Sequence, residues 1–291
     1  MPKVNIDLSV IILSYKSKEH LKALLPSVFA STKKYTYEVI VVDNDSKDGT
    51  AEAVEGLLYS VPNLSLIRNK NTGFSAGNNL GIKQASGKYI LLLNPDTKVE
   101  PDTFEVMLDM MEKRPEIGIG GCKIVKADGS LDLACRRRFP NPRNSFKRLF
   151  LLDNKDYNYS DINENLEMEV DSVVGAFLLI RKSVIEEIGL LDESFFMYGE
   201  DLDWCWRSKA AGHKVWYYPK TFITHYKGSS SAKMPFRSLW WFHQSMWIFY
   251  QKHYARKFSA AFNWLVFLGI NLRWFFLVLI NLFRAKPVVS K

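Results

Sequence analysis

Three cysteines, Cys122, Cys135 and Cys205, are all that 291 residues contain. They are odd in number and scattered, which excludes a disulfide framework and a cysteine metal cluster and points to a reducing cytosol. No GxxxxGK[ST] run is present, so a P-loop is excluded. The first apolar run leads into SYKSKEHL rather than a glycine-rich turn. That argues against a dinucleotide fold and removes the phosphate loop a nucleotidyltransferase would want. The net charge of +8 comes without a zinc-finger, RRM or basic-zipper pattern, so nucleic acid is not the expected partner. An anionic membrane surface or a diphosphate-bearing substrate suits that charge equally well. Internal repeats and low-complexity segments are absent. Asp7 interrupts the N-terminal apolar run and no small-residue cleavage site follows, so this run reads as a first strand and not as a signal peptide.

The composition is that of a globular protein, 47% apolar and 24% charged. The length suits one large α/β domain with an appendage, or two small domains, and its core needs no covalent staples. Residues 8–15, 37–44, 63–69 and 88–96 are apolar, β-branched runs that read as strands. Helical spacing separates them, with Pro26 expected to kink or end the first helix. A helix near 101–113 and a strand at 117–125 continue the series. Alternation of this kind implies a parallel sheet with right-handed crossovers and ligands at the C-terminal strand ends. Residues 128–170 are polar and turn-rich and read as a long, partly mobile excursion. Strand and helix return at 173–189, and 213–219 reads as another strand.

Two strands stop at acid: VIVVDND places Asp43 and Asp45 at one end, and YILLLNPD places Asp96 at another. A carboxylate just past a buried strand is well placed for a ligand crevice. Asp and Asn also favour turns, and that is the stronger reading at Asp45, while at Asp96 the two stand level. FFMYGEDLDWCWR crowds Glu200, Asp201 and Asp203 between aromatic residues. This is a plain helix start favoured by the macrodipole, a metal site or a catalytic base.

The stretches SVIILSY, VIVVDNDSKDGT, NTGFSAGNNLGI, YILLLNPDT, VGAFLLIRKSVIEEIGLLDESFFMYGEDLDWCWR and THYKGSS cover residues 8–231. In this order they resemble the inverting glycosyltransferases of family 2, most closely the bacterial rhamnosyltransferase branch. The resemblance implies the GT-A nucleotide-diphospho-sugar transferase fold, an α/β fold with a mostly parallel central sheet flanked by helices. It implies a nucleotide-binding half over 1–125, an acceptor and catalytic half over 126–232, and a C-terminal helical, membrane-associating extension over 233–291. Ser14 and Tyr15 then lie where the family holds the nucleotide, and Asp43 matches the acid that binds the pyrimidine base. Asn71, Gly73 and Gly77 match the segment along the donor. Asn94-Pro95-Asp96 matches the DxD-like motif, with Asn in place of the first acid. Asp96 would hold Mg²⁺ or Mn²⁺ against the donor diphosphate, and His225 matches a position that completes the metal site in some relatives. A lone His in a strand-exit turn is also commonly structural. Asp201, with Glu200 beside it, matches the general base. Asp203 suits the macrodipole or pairs with Arg207. Gly175, Tyr198 and Trp204 fall on the acceptor side, although core packing is the commoner use of each aromatic. The resemblance further implies a nucleotide-sugar donor, dTDP-L-rhamnose first and a UDP-sugar (GlcNAc, galactose or galactofuranose) as the alternative. The acceptor would be a glycan or a polyprenyl-diphosphate-linked glycan in surface polysaccharide or cell-wall synthesis. A non-catalytic membrane-associated subunit with the same fold is a further reading.

The C-terminal quarter is aromatic and basic, then apolar over 262–283. That segment is long enough to span a bilayer. Arg273 sits in its middle, and Asn263, Arg273, Asn281 and Arg284 fall on one narrow side at 100° per residue. The preferred reading is an amphipathic helix in the membrane interface, peripheral on the cytoplasmic face. A true span, a homo-oligomer interface or a core-packing helix pair are the other readings. The basic segment 136–148 lies on the same membrane face or is a solvated loop.

Overall fold

The computed structural model describes residues 5–150, 155–226 and 234–284. β1 (Leu8–Ser14), β2 (Tyr37–Asn44), β3 (Leu64–Asn69) and β4 (Tyr89–Leu93) run parallel, joined by α1 (Lys18–Phe29), α2 (Thr50–Leu58) and α3 (Phe74–Gln84). After them come β5 (Thr97–Val99), α4 (Thr103–Lys113), β6 (Ile117–Lys126), α5 (Pro142–Phe150), α6 (Lys155–Asn158), β7 (Met168–Glu169) and β8 (Phe177–Arg181). The chain ends with α7 (Lys182–Ile188), α8 (Glu200–Ala210), β9 (Lys214–His225), α9 (Pro235–His253) and α10 (Ala260–Leu282).

The nine strands form one sheet in the order β3-β2-β1-β4-β8-β6-β9-β5, with β7 also paired to β9. β1, β2, β3, β4, β6 and β9 share a direction, and β5, β7 and β8 run against it. Helices cover both faces, which is why β1 is buried at all seven positions and reads as an unbroken apolar run. Strand order reverses between β1 and β4, so a crevice opens beyond their C-terminal ends.

α3 lies unusually close to the sheet. A Cβ on Gly77 would stand 2.5 Å from Leu13, and one on Gly81 2.6 Å from Ile11. The glycine spacing of GFSAGNNLG is therefore a helix–strand packing device. The same segment clamps the stretch before α8: Phe74 N–H donates to Phe196 O (2.6 Å), Ser75 Oγ to Phe195 O (2.7 Å), and Asn79 Nδ2 to Leu191 O (2.9 Å).

Several expectations change. α1 continues three residues past Pro26 instead of ending there. The excursion at 128–170 is packed where it is described: Arg136, Arg137, Asn144 and Tyr157 are buried, and Arg137 pairs with Ser172 through two backbone hydrogen bonds. The expectation of a basic membrane face or solvated loop starting at Arg136 fails there, because both guanidinium groups are inside the protein. α9 is keyed to α8 by a small core of Phe195, Leu202 and Phe249 with Phe139 and Trp206 against it. The boundary expected at 232/233 and the Lys227–Ser230 part of THYKGSS lie outside the described residues.

Gly73 adopts φ +97°, and a Cβ there would come within 2.7 Å of the Phe196 carbonyl oxygen. Gly73→Ala is expected to lower stability by about 1–3 kcal/mol. Gly56, inside α2 with nothing within 4 Å of its Cβ position, should gain up to about 1 kcal/mol on Gly56→Ala. Urea unfolding of the two variants checks this: midpoints must move in opposite directions.

Candidate active site

The β1 and β2 ends meet in register, Ser14 opposite Asp43. Ser14 and Asp43 are buried, Tyr15 is half-buried, and the turns beyond hold Lys16, Asp45 and Lys47 at positive φ. Left-handed backbone in three non-glycine residues is costly, and such strain concentrates at binding loops. Ser46 ties the two turns: its Oγ accepts from Lys16 N–H (3.0 Å) and donates to Ser14 O (3.4 Å). Asp43 Oδ2 receives Ser46 N–H (3.4 Å), while Asp43 Oδ1 is buried with no hydrogen-bond partner. A buried acceptor left this way is costly and marks a place for a ligand donor. Asn71 and Gly73, expected along the donor, are engaged locally: Asn44 Nδ2 and Gly73 N–H both donate to Asn71 Oδ1 (3.1 and 3.3 Å). Gly77 faces Leu13 in the core, which removes it from the donor surface.

At the end of β4, Asn94 N–H donates to Ala176 O (3.1 Å), and Asn94 O accepts from Thr97 Oγ1 (2.8 Å). This turn delivers β5, which pairs with β9 so that Thr97 lies opposite His225. Asp96 Oδ1 thereby sits 3.2 Å from His225 Nε2, joining residues 129 positions apart. His225 Nδ1 lies 3.6 Å from Asp132 Oδ2, and Asp132 is buried. Asp132 was not anticipated, since a single acid in a polar loop carries no local signal. Among the described residues, no three His, Cys, Asp or Glu side chains converge as a metal cluster.

α8 begins after Tyr198 (φ 69°) and Gly199 (φ 82°), two successive left-handed residues that turn the chain abruptly into the helix. Its three acids have three different surroundings. Asp203, fully buried, receives Arg207 Nε, Lys252 Nζ and His253 Nε2, each at 2.8 Å. Burial alone would raise its pKa, but hydrogen bonds from His253 and Lys252 overcome that and hold it at about 2. The expected Arg207 pairing is present, and α9 supplies the other two partners.

Asp201 Oδ2 accepts from Arg137 Nη2 (2.8 Å) and from Gly175 N–H (3.0 Å), and Oδ1 accepts from Leu202 N–H (2.8 Å). Gly175 thus serves the carboxylate by its amide. Ala176, the next residue, holds Asn94, which brings the base candidate and the Asn-Pro-Asp turn to one edge of the sheet. Glu200 is buried with Oε2 unpartnered. Burial first, then the charge of Asp201, raises its pKa to about 8, so it holds its proton at neutral pH.

Trp204 takes the core-packing reading and not the acceptor-side one. It is 0% exposed and its indole N–H donates to Gly189 O (3.0 Å), so it belongs to the core and is closed to a sugar. Tyr198 is half-buried with its ring edge-on to Phe242 of α9. The three cysteines are buried free thiols.

A sheet that reverses between β1 and β4, acids at both strand ends and a buried carboxylate pair at the same edge define a GT-A-type glycosyltransferase. The family model described as "Glycosyl transferase family 2" matches residues 9–189, and the chain belongs to that family. It is 26% identical to an N-acetylglucosaminyl-diphospho-decaprenol L-rhamnosyltransferase of Mycobacterium tuberculosis, over 96% of this chain and 95% of that protein. The fold is shared with S. aureus TarS (TM-score 0.60, 16% identity, 93% of this chain), of which the chain spans 44%. A shorter TarS structure in complex with UDP-GlcNAc superposes with TM-score 0.59 at 18% identity, over 93% of this chain and 73% of that one.

A raised carboxyl pKa has a definite sign in stability. The contribution of Glu200 is present below its free value of 4.5 and lost as pH rises through about 8. Glu200→Gln carries no charge to desolvate. Its melting temperature relative to wild type should therefore climb across that window, and a difference that stays flat with pH would remove the assigned shift.

Proposed function

We propose that the protein transfers a sugar, with inversion, from a nucleoside-diphosphate donor to a glycan acceptor carried on a polyprenyl diphosphate. Asp201 carries this reading: a buried carboxylate at the start of α8, fixed at one oxygen and beside the strand-end crevice. The acceptor hydroxyl gives its proton to Asp201 as it attacks the anomeric carbon, in one displacement. Glu200, neutral at its side, keeps the pair from carrying two adjacent charges. Asp43 Oδ1 suits the ring N–H of a pyrimidine base, uracil or thymine alike. The near full-length similarity to the mycobacterial rhamnosyltransferase favours dTDP-L-rhamnose. A UDP-sugar is the second reading, favoured by the fold shared with the UDP-GlcNAc-bound TarS.

Asp96 and His225 fit a divalent cation. Adjacent ligands about 2.1 Å from an octahedral Mg²⁺ lie about 3 Å apart, and Asp96 Oδ1 and His225 Nε2 are 3.2 Å apart. When bound, the cation would supply positive charge to the leaving diphosphate. Asp132, behind His225 Nδ1, would orient the ring.

α10 supports a membrane-facing reading, in a form different from the one expected. Its polar stripe faces α9, away from the outer surface: Arg273 Nη1 donates to His243 Nε2 (2.8 Å), Tyr250 Oη donates to Asn263 Oδ1 (2.6 Å), and Asn281 is buried. Burial lowers the His243 pKa to about 4, so its ring is neutral and can accept from Arg273. Trp264, Leu265, Phe275, Phe276 and Leu282 face outward, each at least half exposed. Each such side chain is worth about 1.5–3 kcal/mol when taken out of water, so lipid is the fitting occupant, on the cytoplasmic side where nucleotide sugars are found.

Two outcomes are expected. Across a panel of nucleotide sugars with Mg²⁺ or Mn²⁺, one donor is turned over, and Asp201→Asn binds it with turnover reduced about 10²–10⁴-fold. Failure of every donor to bind would leave the scaffold reading instead. In flotation, the intact chain rises with anionic vesicles and Phe275→Asp/Phe276→Asp reduces the floating fraction. A wild-type chain that stays at the bottom would remove the membrane reading.

A further inference from the structure

The acids at the start of α8 are balanced one by one. Asp203 is answered by Arg207, Lys252 and His253, and Glu200 holds a proton. Asp201 is answered from outside its own helix, by a residue 64 positions earlier in the chain. Arg137 is buried, and its Nη2 donates to Asp201 Oδ2 (2.8 Å) and to Val173 O (2.7 Å). Its Nε is buried with no hydrogen-bond partner. The backbone is fixed as well: Arg137 N–H donates to Ser172 O and Ser172 N–H to Arg137 O, both at 2.9 Å. Two further observations show how tightly this corner is built. Arg136 is clamped by the Ile162 and Asn163 carbonyls over the Tyr217 ring, and a Cβ on Gly121 would strike Val173 at 2.6 Å.

A buried ion pair is poor value for stability, since apolar side chains of similar volume commonly do as well. Its presence next to a required carboxylate has a different explanation. We infer that Arg137 is a positioning residue of the transfer reaction, fixing Asp201 Oδ2 so that Oδ1 is the oxygen that takes the acceptor proton. The inference rests on the proposed role of Asp201 as base. Oδ2 has both in-plane lone pairs engaged, by Arg137 and by Gly175 N–H, whereas among the described residues Oδ1 accepts only Leu202 N–H and retains one. In the step itself the acceptor oxygen forms the new bond to the anomeric carbon. The bond from that carbon to the diphosphate breaks with its electron pair on the leaving group, and the proton passes to Oδ1.

The guanidinium also sets the charge seen by its neighbours. Burial opposes the Arg137 charge, but the Asp201 carboxylate outweighs burial and keeps it above its usual pKa. Arg137 in turn pulls the Glu200 pKa down against burial and Asp201. The other groups facing this pair are Asp203 and Cys205 on α8 and Tyr157 on α6, with Cys205 pushed up to about 12 by burial and so uncharged in the working range. Loss of Arg137 therefore lets the Glu200 pKa rise further.

The test uses the full chain with its working donor and metal. Arg137→Met should lower kcat by about 10–10²-fold and shift the acid limb of kcat/KM upward, while the calorimetric donor Kd stays within about twofold. Arg137→Lys, which keeps the charge without the fork, should recover part of kcat and most of the pH profile. If Arg137→Met unfolds, Arg137→Met/Asp201→Asn, with both charges gone, should melt near wild type, and Arg137→Lys carries the kinetic measurement. An unchanged kcat and pH profile in folded Arg137 variants overturns the inference, as does a loss confined to donor Kd. Asp201→Asn separates the two levels. If it turns over normally, the base reading itself fails; if it is inactive while Arg137 variants keep the wild-type profile, only the role of Arg137 falls.

Discussion

Negative charge buried at the N-terminus of α8 is the constraint around which the second half of the fold is arranged. A carboxylate taken out of water must be paired, hydrogen-bonded or protonated, and this helix begins with three acids in four positions. Each solution recruits a different part of the molecule. Asp203 draws in Lys252 and His253, which docks α9. Asp201 draws in Arg137, which anchors the excursion after β6, and the Gly175 amide in the turn before β8. Glu200 pairs with no cation among the described residues and keeps its proton. The excursion, the antiparallel strands and the C-terminal helices thus converge on one turn of helix.

The donor side follows a second logic, that of strand ends. Parallel β1, β2 and β4 deliver Ser14, Asp43 and Asn94 to one edge because the strand order reverses there. The short antiparallel pairing of β5 with β9 then returns the chain across that edge, and this alone sets Asp96 against His225. A family 2 glycosyltransferase needs both halves at one place: a site for the donor and one for the incoming hydroxyl. Asn94 N–H on Ala176 O, with Gly175 N–H on Asp201, is the short physical link between them.

The C-terminal helices show how an amphipathic pattern can be inverted. Helical periodicity correctly placed Asn263, Arg273 and Asn281 on one side of α10. Which side faces water was left open by the pattern, and α9 decided it by offering His243 and Tyr250 as partners. The result is a helix with its polar side satisfied inside and its aromatic side outward, an arrangement stable in lipid and costly in water.

The four parallel strands and their helices were legible in order and type, with ends off by up to four residues, because buried strands carry their signal locally as unbroken apolar runs. The motifs that mark the family were equally plain, and Asp43, Asp96, Asp201 and His225 stood out by their place at element ends. The residues that complete the site were not legible. Arg137 lay in a basic run that read as membrane-facing or solvated, and Asp132 in an ordinary loop. The roles of Arg137 and Asp132 depend on pairings across 64 and more positions, and on which polar atoms burial leaves without water. Periodicity and end signals are local and survive in the sequence. The choice of partner for a buried charge is made only when distant segments compete to satisfy it, and that the tertiary structure decides.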